Sequence, residues 1–364
     1  MILGHYDSPP TLQEAEVTLM GAGAYGESIV CHVGNNNWII VDSCVNPNDS
    51  KVPLPLDYLT SLGVSPLNIS LIICTHWHTD HIRGLSKILE AAPNAEFCIS
   101  RAHDQNKFLS FVGMDSSKLL NSSTKEFTKC LSILKERGKL FIDAIEDRKI
   151  HGKGEELGHI FCLSPSDYTK QIFDLEIADL IKAFYHPTKK IPYSSPNSKS
   201  IVLFAKLGPH RAIFGADLET VENEHEGWLR VMKNKITIDN KSSLIKISHH
   251  GSVTGYHEDI WNILLLDNAV AKITPWKLGG NYLPKQEMIE KYSGHTNQLF
   301  ITEVVESHKQ KARDRDLEKL IKSFKPNLQE IKYKLGIIRS RINMNDAEAK
   351  WQVQIIMGAK KIGL

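Results

Sequence analysis

One stretch narrows the folds open to this chain more than any other. The apolar run Ile69-Ser70-Leu71-Ile72-Ile73-Cys74 leads directly into Thr75-His76-Trp77-His78-Thr79-Asp80-His81. The first six residues have the length and composition of a strand, and Leu85-Ser86-Lys87-Ile88-Leu89-Glu90 beyond has helical spacing. The histidines therefore occupy a strand-to-helix loop, where layered α/β folds place reactive side chains on a rigid sheet. Because side chains alternate along an extended segment, His76 and His78 point to the same side, while Asp80 and His81 fall on the next turn and face a second point nearby. Imidazoles and carboxylates at this spacing suit a pair of divalent metal ions, Zn²⁺ or Mn²⁺.

The rest of the chain extends this layered pattern. Glu16 to Met20, Ser28 to Val33 and Asn37 to Asp42 read as strands of an antiparallel meander around the glycine-rich turn 21–26. A helix at about 55–62 precedes the histidine strand, and Ala95 to Ile99 is strand-like. A polar, helical composition at about 101–140 reads as an insertion, carrying Lys118, Lys125 and Lys129 among apolar residues. Strands resume at 159–163 and 200–205, with Ala212-Ile213-Phe214-Gly215-Ala216-Asp217 after the second. Leu244-Ile245-Lys246-Ile247-Ser248 then delivers His249-His250-Gly251-Ser252. Strands at 269–274 and 298–305, a basic helix near 314–323 and a closing strand pair near 337–341 and 351–356 complete a C-terminal elaboration of about 300–364. No repeat or low-complexity linker interrupts the order, which favours one elaborated α/β domain over 1–364.

Composition removes several classes. The chain has 364 residues, 41% hydrophobic and 24% charged, enough to bury a core and unlike a disordered or fibrous sequence. A formal charge of +2 falls short of a general nucleic-acid binder, though local basic patches remain open. No apolar run reaches the ~18 to 20 residues of a membrane span, and the N-terminus lacks a leader pattern, so the expectation is a cytoplasmic protein without a membrane partner. Six scattered cysteines read as reduced core residues.

The run from His76 to His81 resembles the His-x-His-x-Asp-His signature of the metallo-β-lactamase superfamily. That resemblance implies an αββα sandwich and a hydrolase that activates water on a dinuclear metal site. Phe214-Gly215-Ala216-Asp217 is similar to the family's strand ending in an aspartate, which implies that Asp217 bridges the two metals. Lys246-Ile247-Ser248-His249-His250-Gly251-Ser252 is similar to an element of the competence DNA-uptake (ComEC-like) branch, and implies that His249 or His250 completes the second metal. His249, directly after the strand, is the favoured one. The same branch has an Asn-x-x-Ser matched by Asn197-Ser198-Lys199-Ser200. The chain departs from the family in lacking the Gly-His-Thr element that supplies a third histidine to the first metal. Asn197, His151, His159 or His186 is left to fill that place.

The resulting roles are metal ligation by His76, His78, Asp80, His81, Asp217 and one or both of His249 and His250, with Asp80 or Asp217 also taking the proton of the incoming water. Asn197, Ser200, Lys246 and Ser252 would meet the substrate, the lysine lending charge to a developing oxyanion. The branch points to phosphodiester bonds, with DNA favoured, and to a backbone held by lysines of the insertion and by Lys309, Lys311, Arg313, Arg315, Lys319 and Lys322. Two other readings remain open at this point. One is hydrolysis of a small ester, lactone or thioester. The other is a metal-bound scaffold or sensor that meets a protein partner through the helical insertion.

Overall fold

The computed structural model describes residues 8–46, 49–100, 122–154, 156–185, 196–238, 240–303 and 335–362. The basic helix expected near 314–323, the first part of the insertion and His186 lie outside these residues. Of the stretch expected as an insertion, residues 122–140 are described and carry the helix Ser122–Glu136.

Strands that are apolar on consecutive residues have two faces to bury, and this chain buries both. Along Ile69–Cys74, Leu71 and Ile73 join one apolar cluster while Ile72 and Cys74 join another. Along Trp38–Val41, Ile39 and Val41 alternate with Trp38 and Ile40 in the same way. The cluster shared by Leu71 and Ile73 also contains Leu203, Ala205, Phe214 and Leu244 of a second sheet, so it is the layer between two sheets. The cluster of Ile72 takes in Leu54, Leu59, Leu85, Ile88 and Phe127 from helices on the outer face of the first sheet. A third cluster covers the second sheet with Trp228, Val231, Met288, Ile289 and Tyr292. Helix, sheet, sheet and helix are thus stacked on three apolar layers, the αββα sandwich that the sequence leads one to expect.

Among the described residues, each of the two stacked sheets has eight strands. The first runs Gln352–Met357, Gly336–Asn343, Glu14–Ala22, Gly26–His32, Trp38–Val41, Ile69–Cys74, Glu96–Ser100, Ile142–Ala144, antiparallel through Trp38–Val41 and parallel from there on. In the second, His210–Phe214, Ser242–Lys246, Leu265–Ile273 and Leu299–Ile301 are parallel neighbours, with antiparallel strands outside them. The carboxyl ends of Trp38–Val41, Ile69–Cys74, His210–Phe214 and Ser242–Lys246 consequently open on one edge of the sandwich. In parallel sheets that edge is where ligands bind.

Several features depart from the sequence reading. The strand expected at 200–205 is Leu203–Leu207, and residues 196–199 form a short 3-10 turn before it. A 19-residue helix, Asp167–Tyr185, stands where the sequence pattern gives no element. Its start is fixed by Ser166, whose Oγ accepts from the Thr169 N–H at 3.1 Å.

Lys272 crosses the sandwich. It is buried in the second sheet, and its Nζ donates to the Val17 carbonyl at 2.7 Å and the Ile338 carbonyl at 3.1 Å in the first. Burial pushes its ammonium down to about 7, against the opposing pull of Glu16 and Cys31. The unfolded chain then holds the lysine proton to about pH 10 while the folded chain has released it. Stability should therefore rise with pH between those values, by up to about 1.4 kcal/mol per unit. Urea unfolding at pH 7 and pH 9 should show this gain in the native chain and lose it in Lys272→Met. Parallel profiles for the two proteins would contradict the account.

Candidate metal centre

Four loops at this edge bring their side chains together, and the backbone is strained in three of them. Asp42, Ala216, His249 and His250 all have positive φ, at 59°, 43°, 48° and 53°. They are four of the nine such non-glycine residues among those described, a concentration that marks a functional site. Gly26, at φ +98°, permits one further close approach. A Cβ there would lie 2.1 Å from the Asp80 carbonyl, so only glycine lets the turn beside Glu27 sit against the histidine loop.

Asp42, at the end of its strand, organises the histidine run. It accepts from the Thr75 N–H at 2.7 Å, the Thr75 hydroxyl at 2.6 Å and His81 Nδ1 at 2.8 Å. Because the Thr75 proton goes to Asp42, its oxygen receives the His76 Nδ1–H at 3.0 Å. His250 Nδ1 donates to the Thr274 carbonyl at 3.1 Å. Each Nδ1 is thereby held as a donor, so that in the neutral ring the lone pair sits on Nε2. This is the arrangement in which an outer partner fixes a metal-binding imidazole.

Those lone pairs converge on Asp217. His76 Nε2 lies 3.7 Å from its Oδ2, His81 Nε2 3.4 Å from its Oδ1, and His250 Nε2 3.4 Å from its Oδ2. His250 Nε2 is also 3.2 Å from Asp80 Oδ2. The Nε2 atoms of His76, His81 and His250, together with Asp217 Oδ1, are buried without a hydrogen-bond partner. Buried polar atoms are nearly always paired, so four of them facing one small space fit a missing ligand better than a packing fault. Among the described residues, donor atoms of these side chains form four overlapping groups of three, two of which, His76, His78 and Asp217, and Asp80, His81 and His250, suit two neighbouring cations.

The charge in this pocket also calls for cations. Glu27, Asp42 and Asp217 are buried and Asp80 is three-quarters so, whereas the one buried lysine among them is Lys246. Burial alone would lower His81 and His250. The carboxylates of Asp217 and Asp80 more than reverse this, holding His81 well above the usual imidazole range and His250 up to about 10. Burial raises Asp217 too, but His250 and His81 draw it well down. His76, farther from the acids and crowded by His81, is lowered by burial. Left to itself, the pocket balances its carboxylates with protons on imidazoles, and a divalent cation would displace them.

The structure corrects several expected roles. His250, not the favoured His249, is buried in the cluster. His249 is turned aside, with Nδ1 2.9 Å from the Thr254 hydroxyl and 3.2 Å from Glu219, and Nε2 3.2 Å from Asn197 Nδ2. The choice of His249 relied on its directly following the strand, but the strand ends at Lys246, and both histidines have positive φ. Lys246 is 1% exposed, ion-paired with Glu27 and donating to the Ala216 carbonyl at 2.8 Å, so it stands behind Asp217 and cannot meet a substrate. Ser200 and Ser252 are both buried, the Ser252 Oγ accepting from the Thr254 N–H. Of the four residues expected at the substrate, only Asn197 lines the cleft. His151 belongs to a separate groove with Asn35 and Lys149, and neither it nor His159 groups with His76. Among the described residues, no third histidine joins His76 and His78.

Above the cluster lies a cleft of 510 Å³, lined by His78, Asp80, Asn197, Asp217, His249 and His250 from the site and by Arg83 and residues 276–278 and 283 around it. Glu27 and Asp42 are additions that the sequence reading lacks. Glu27 has no sequence signal, but Asp42 closes Ile39-Ile40-Val41-Asp42 as Asp217 closes its own strand.

The profile of the metallo-beta-lactamase superfamily matches residues 27–110. This stretch spans Glu27, Asp42 and the whole histidine run, and the αββα sandwich is the superfamily's fold. Asp217 and the His249-His250 pair lie outside the matched stretch. Among solved structures, the metallo-beta-lactamase fold protein YhfI of Bacillus subtilis is similar at 12% identity and a TM-score of 0.41, covering 79% of this chain and 95% of that one. A Cronobacter sakazakii metallo-beta-lactamase with a HARLDQ motif is similar at 10% identity and a TM-score of 0.35, covering 63% and 73%. No curated protein matches the chain. Among the described residues, no helix is long and apolar enough to cross a membrane.

Calorimetric titration of Zn²⁺ or Mn²⁺ separates the two histidines. His250→Ala should lose one class of bound metal, and His249→Ala should keep the wild-type stoichiometry. Binding at pH 7 should release protons, seen as a heat that varies with buffer ionisation, and should weaken as the pH falls. Equal metal loss in both variants would overturn the geometric choice of His250.

Proposed function

We propose that the chain is a metal-dependent hydrolase acting on phosphodiester bonds, with DNA as the favoured substrate. The observation that carries the metal-dependent part is the convergence of four buried, unpartnered donor atoms on one space. His76, His78 and Asp217 would hold one divalent cation, with Asn197 close by, and Asp80, His81, His250 and Asp217 would hold the second. Such a pair, when bound, supplies an activated water at neutral pH and a clamp on two oxygens of an in-line displacement.

The chain's own residues do the rest. Asp42 and the Thr274 carbonyl keep His81 and His250 in the tautomer that presents Nε2. Lys246 and Glu27 form a buried pair behind Asp217, and Lys246 Nζ, 3.7 Å from Asp217 Oδ1, lends that carboxylate positive charge as well. Asp80, with its side chain 23% exposed, lines the cleft and can accept the proton of the attacking water. Arg83 adds positive charge to the cleft, which suits an anionic ester.

Two further points support phosphodiesters over small neutral esters. One is the likeness of Lys246-Ile247-Ser248-His249-His250-Gly251-Ser252 to the competence-type branch. The other is the arginine at the cleft, which a lactone or thioester would leave without a partner.

The test incubates the purified chain with plasmid, single-stranded DNA and bis-p-nitrophenyl phosphate, with Mn²⁺, Zn²⁺ or EDTA. Metal-dependent cleavage is expected and should fall by at least about a thousandfold in the His76→Ala, His78→Ala double variant, as when the groups supplying the main electrostatic stabilisation are removed. Failure to cleave any of the three, or cleavage that survives EDTA and the double substitution, would overturn the proposal.

A further inference from the structure

The cleft has an apolar wall that neither the metal centre nor the core accounts for. Trp276–Leu278 and Asn281–Leu283 pair as a two-stranded hairpin, with Trp276 opposite Leu283 and Leu278 opposite Asn281. Alternation along the strands puts Trp276, Leu278 and Leu283 on one face, and all three line the cleft. Leu278 is 69% exposed and Trp276 is half-buried, so this face is not sealed by the protein itself. The hairpin is seated firmly. The Lys277 N–H donates to the Gly23 carbonyl at 2.7 Å, and the Gly23 N–H donates to Glu303 at 2.9 Å.

Arg83 lines the same cleft beyond the histidine helix. Among the described residues its guanidinium has no carboxylate within ion-pair reach, whereas Arg230 and Arg341 each hold a glutamate at 2.7 Å. A flat aromatic and an exposed leucine on one side, an uncommitted guanidinium on another and a phosphodiester-directed metal centre at the floor call for one kind of occupant. It carries a planar apolar group and an anion besides the bond that is cut. A nucleotide unit has both, because a base stacks on aromatic side chains whatever its identity and a phosphate takes the planar fork of an arginine. At 510 Å³ the cleft is of the size that encloses a small ligand.

We infer that the 276–283 hairpin and Arg83 form a nucleotide subsite of this centre, with Trp276 and Leu278 against the base next to the scissile bond and Arg83 on the neighbouring phosphate. The inference rests on the proposed phosphodiesterase reading and makes it narrower. A base stacked on Trp276 must be unpaired, so single-stranded DNA is the preferred substrate over duplex.

Thymidine 3′,5′-bisphosphate tests the subsite apart from the chemistry, because it offers a base and two phosphates but no diester to cleave. Its affinity for the full-length, Mn²⁺-loaded chain is measured by calorimetry, beside the KM and kcat for the 5′-phosphorylated dinucleotide pTpT. Arg83→Gln and Trp276→Ala should each weaken binding of the bisphosphate about tenfold and raise KM by a similar factor. Trp276→Phe should restore most of the loss, and single-stranded DNA should be cut in preference to duplex. Wild-type affinity in both Arg83→Gln and Trp276→Ala would overturn the subsite, as would a Trp276→Phe as weak as Trp276→Ala. If the native chain cleaves no diester yet binds the bisphosphate in this Arg83- and Trp276-dependent way, the subsite stands and the hydrolase reading falls. Diester cleavage with affinities untouched by either substitution leaves the hydrolase reading standing and removes the subsite.

Discussion

Asp42 is the joint between the sandwich and its site. It takes three hydrogen bonds, two from Thr75 and one from His81, at the point where the Trp38–Val41 and Ile69–Cys74 strands end side by side. Burial pushes its carboxyl up, and those three donors offset part of that cost. Together with the Ser43 N–H bond to the His81 carbonyl at 2.7 Å, they hold the histidine loop against the end of the sheet. With them, the tautomers of His76 and His81 follow from one carboxylate, and the Nε2 lone pairs of both face Asp217.

Electrostatics then sets what the site can be. Burying several carboxylates is tolerable only with compensating positive charge, and Lys246 compensates for one. The protons on His81 and His250 are a stopgap, because both rings are oriented as ligands. The same pocket is therefore poised between a protonated, ligand-free state and a cation-loaded one, and the strained backbone at Asp42, Ala216, His249 and His250 is the conformational cost of holding that pocket open.

Much of this is legible from residue order. The αββα layering is visible in strands such as Ile69–Cys74, whose consecutive apolar residues demand cover on two faces, and the histidine run and Asp217 stand where strands end. The errors have local causes. Counting outward from a strand favours His249, but the strand stops at Lys246 and two left-handed residues re-aim the pair. Lys246 looks available to a substrate because its partner, Glu27, is distant in sequence and carries no motif. The Asp167–Tyr185 helix has a legible start in its Ser166 cap, and the 276–283 hairpin a legible tip in Gly279-Gly280, yet neither signal stands out from the polar sequence around it. Asp42 is an omission of a different kind. Like Asp217 it is an acid closing a strand of the sheet, and that position marks it equally.

The claim that most depends on all this is that the unpartnered atoms around Asp217 hold two cations. Anomalous diffraction at the zinc edge, from crystals of the full chain grown with Zn²⁺, addresses it without reference to activity. The account predicts two peaks, one among His76, His78 and Asp217 and one among Asp80, His81, His250 and Asp217. Density confined to other histidines, or none at this edge of the sandwich, would contradict it.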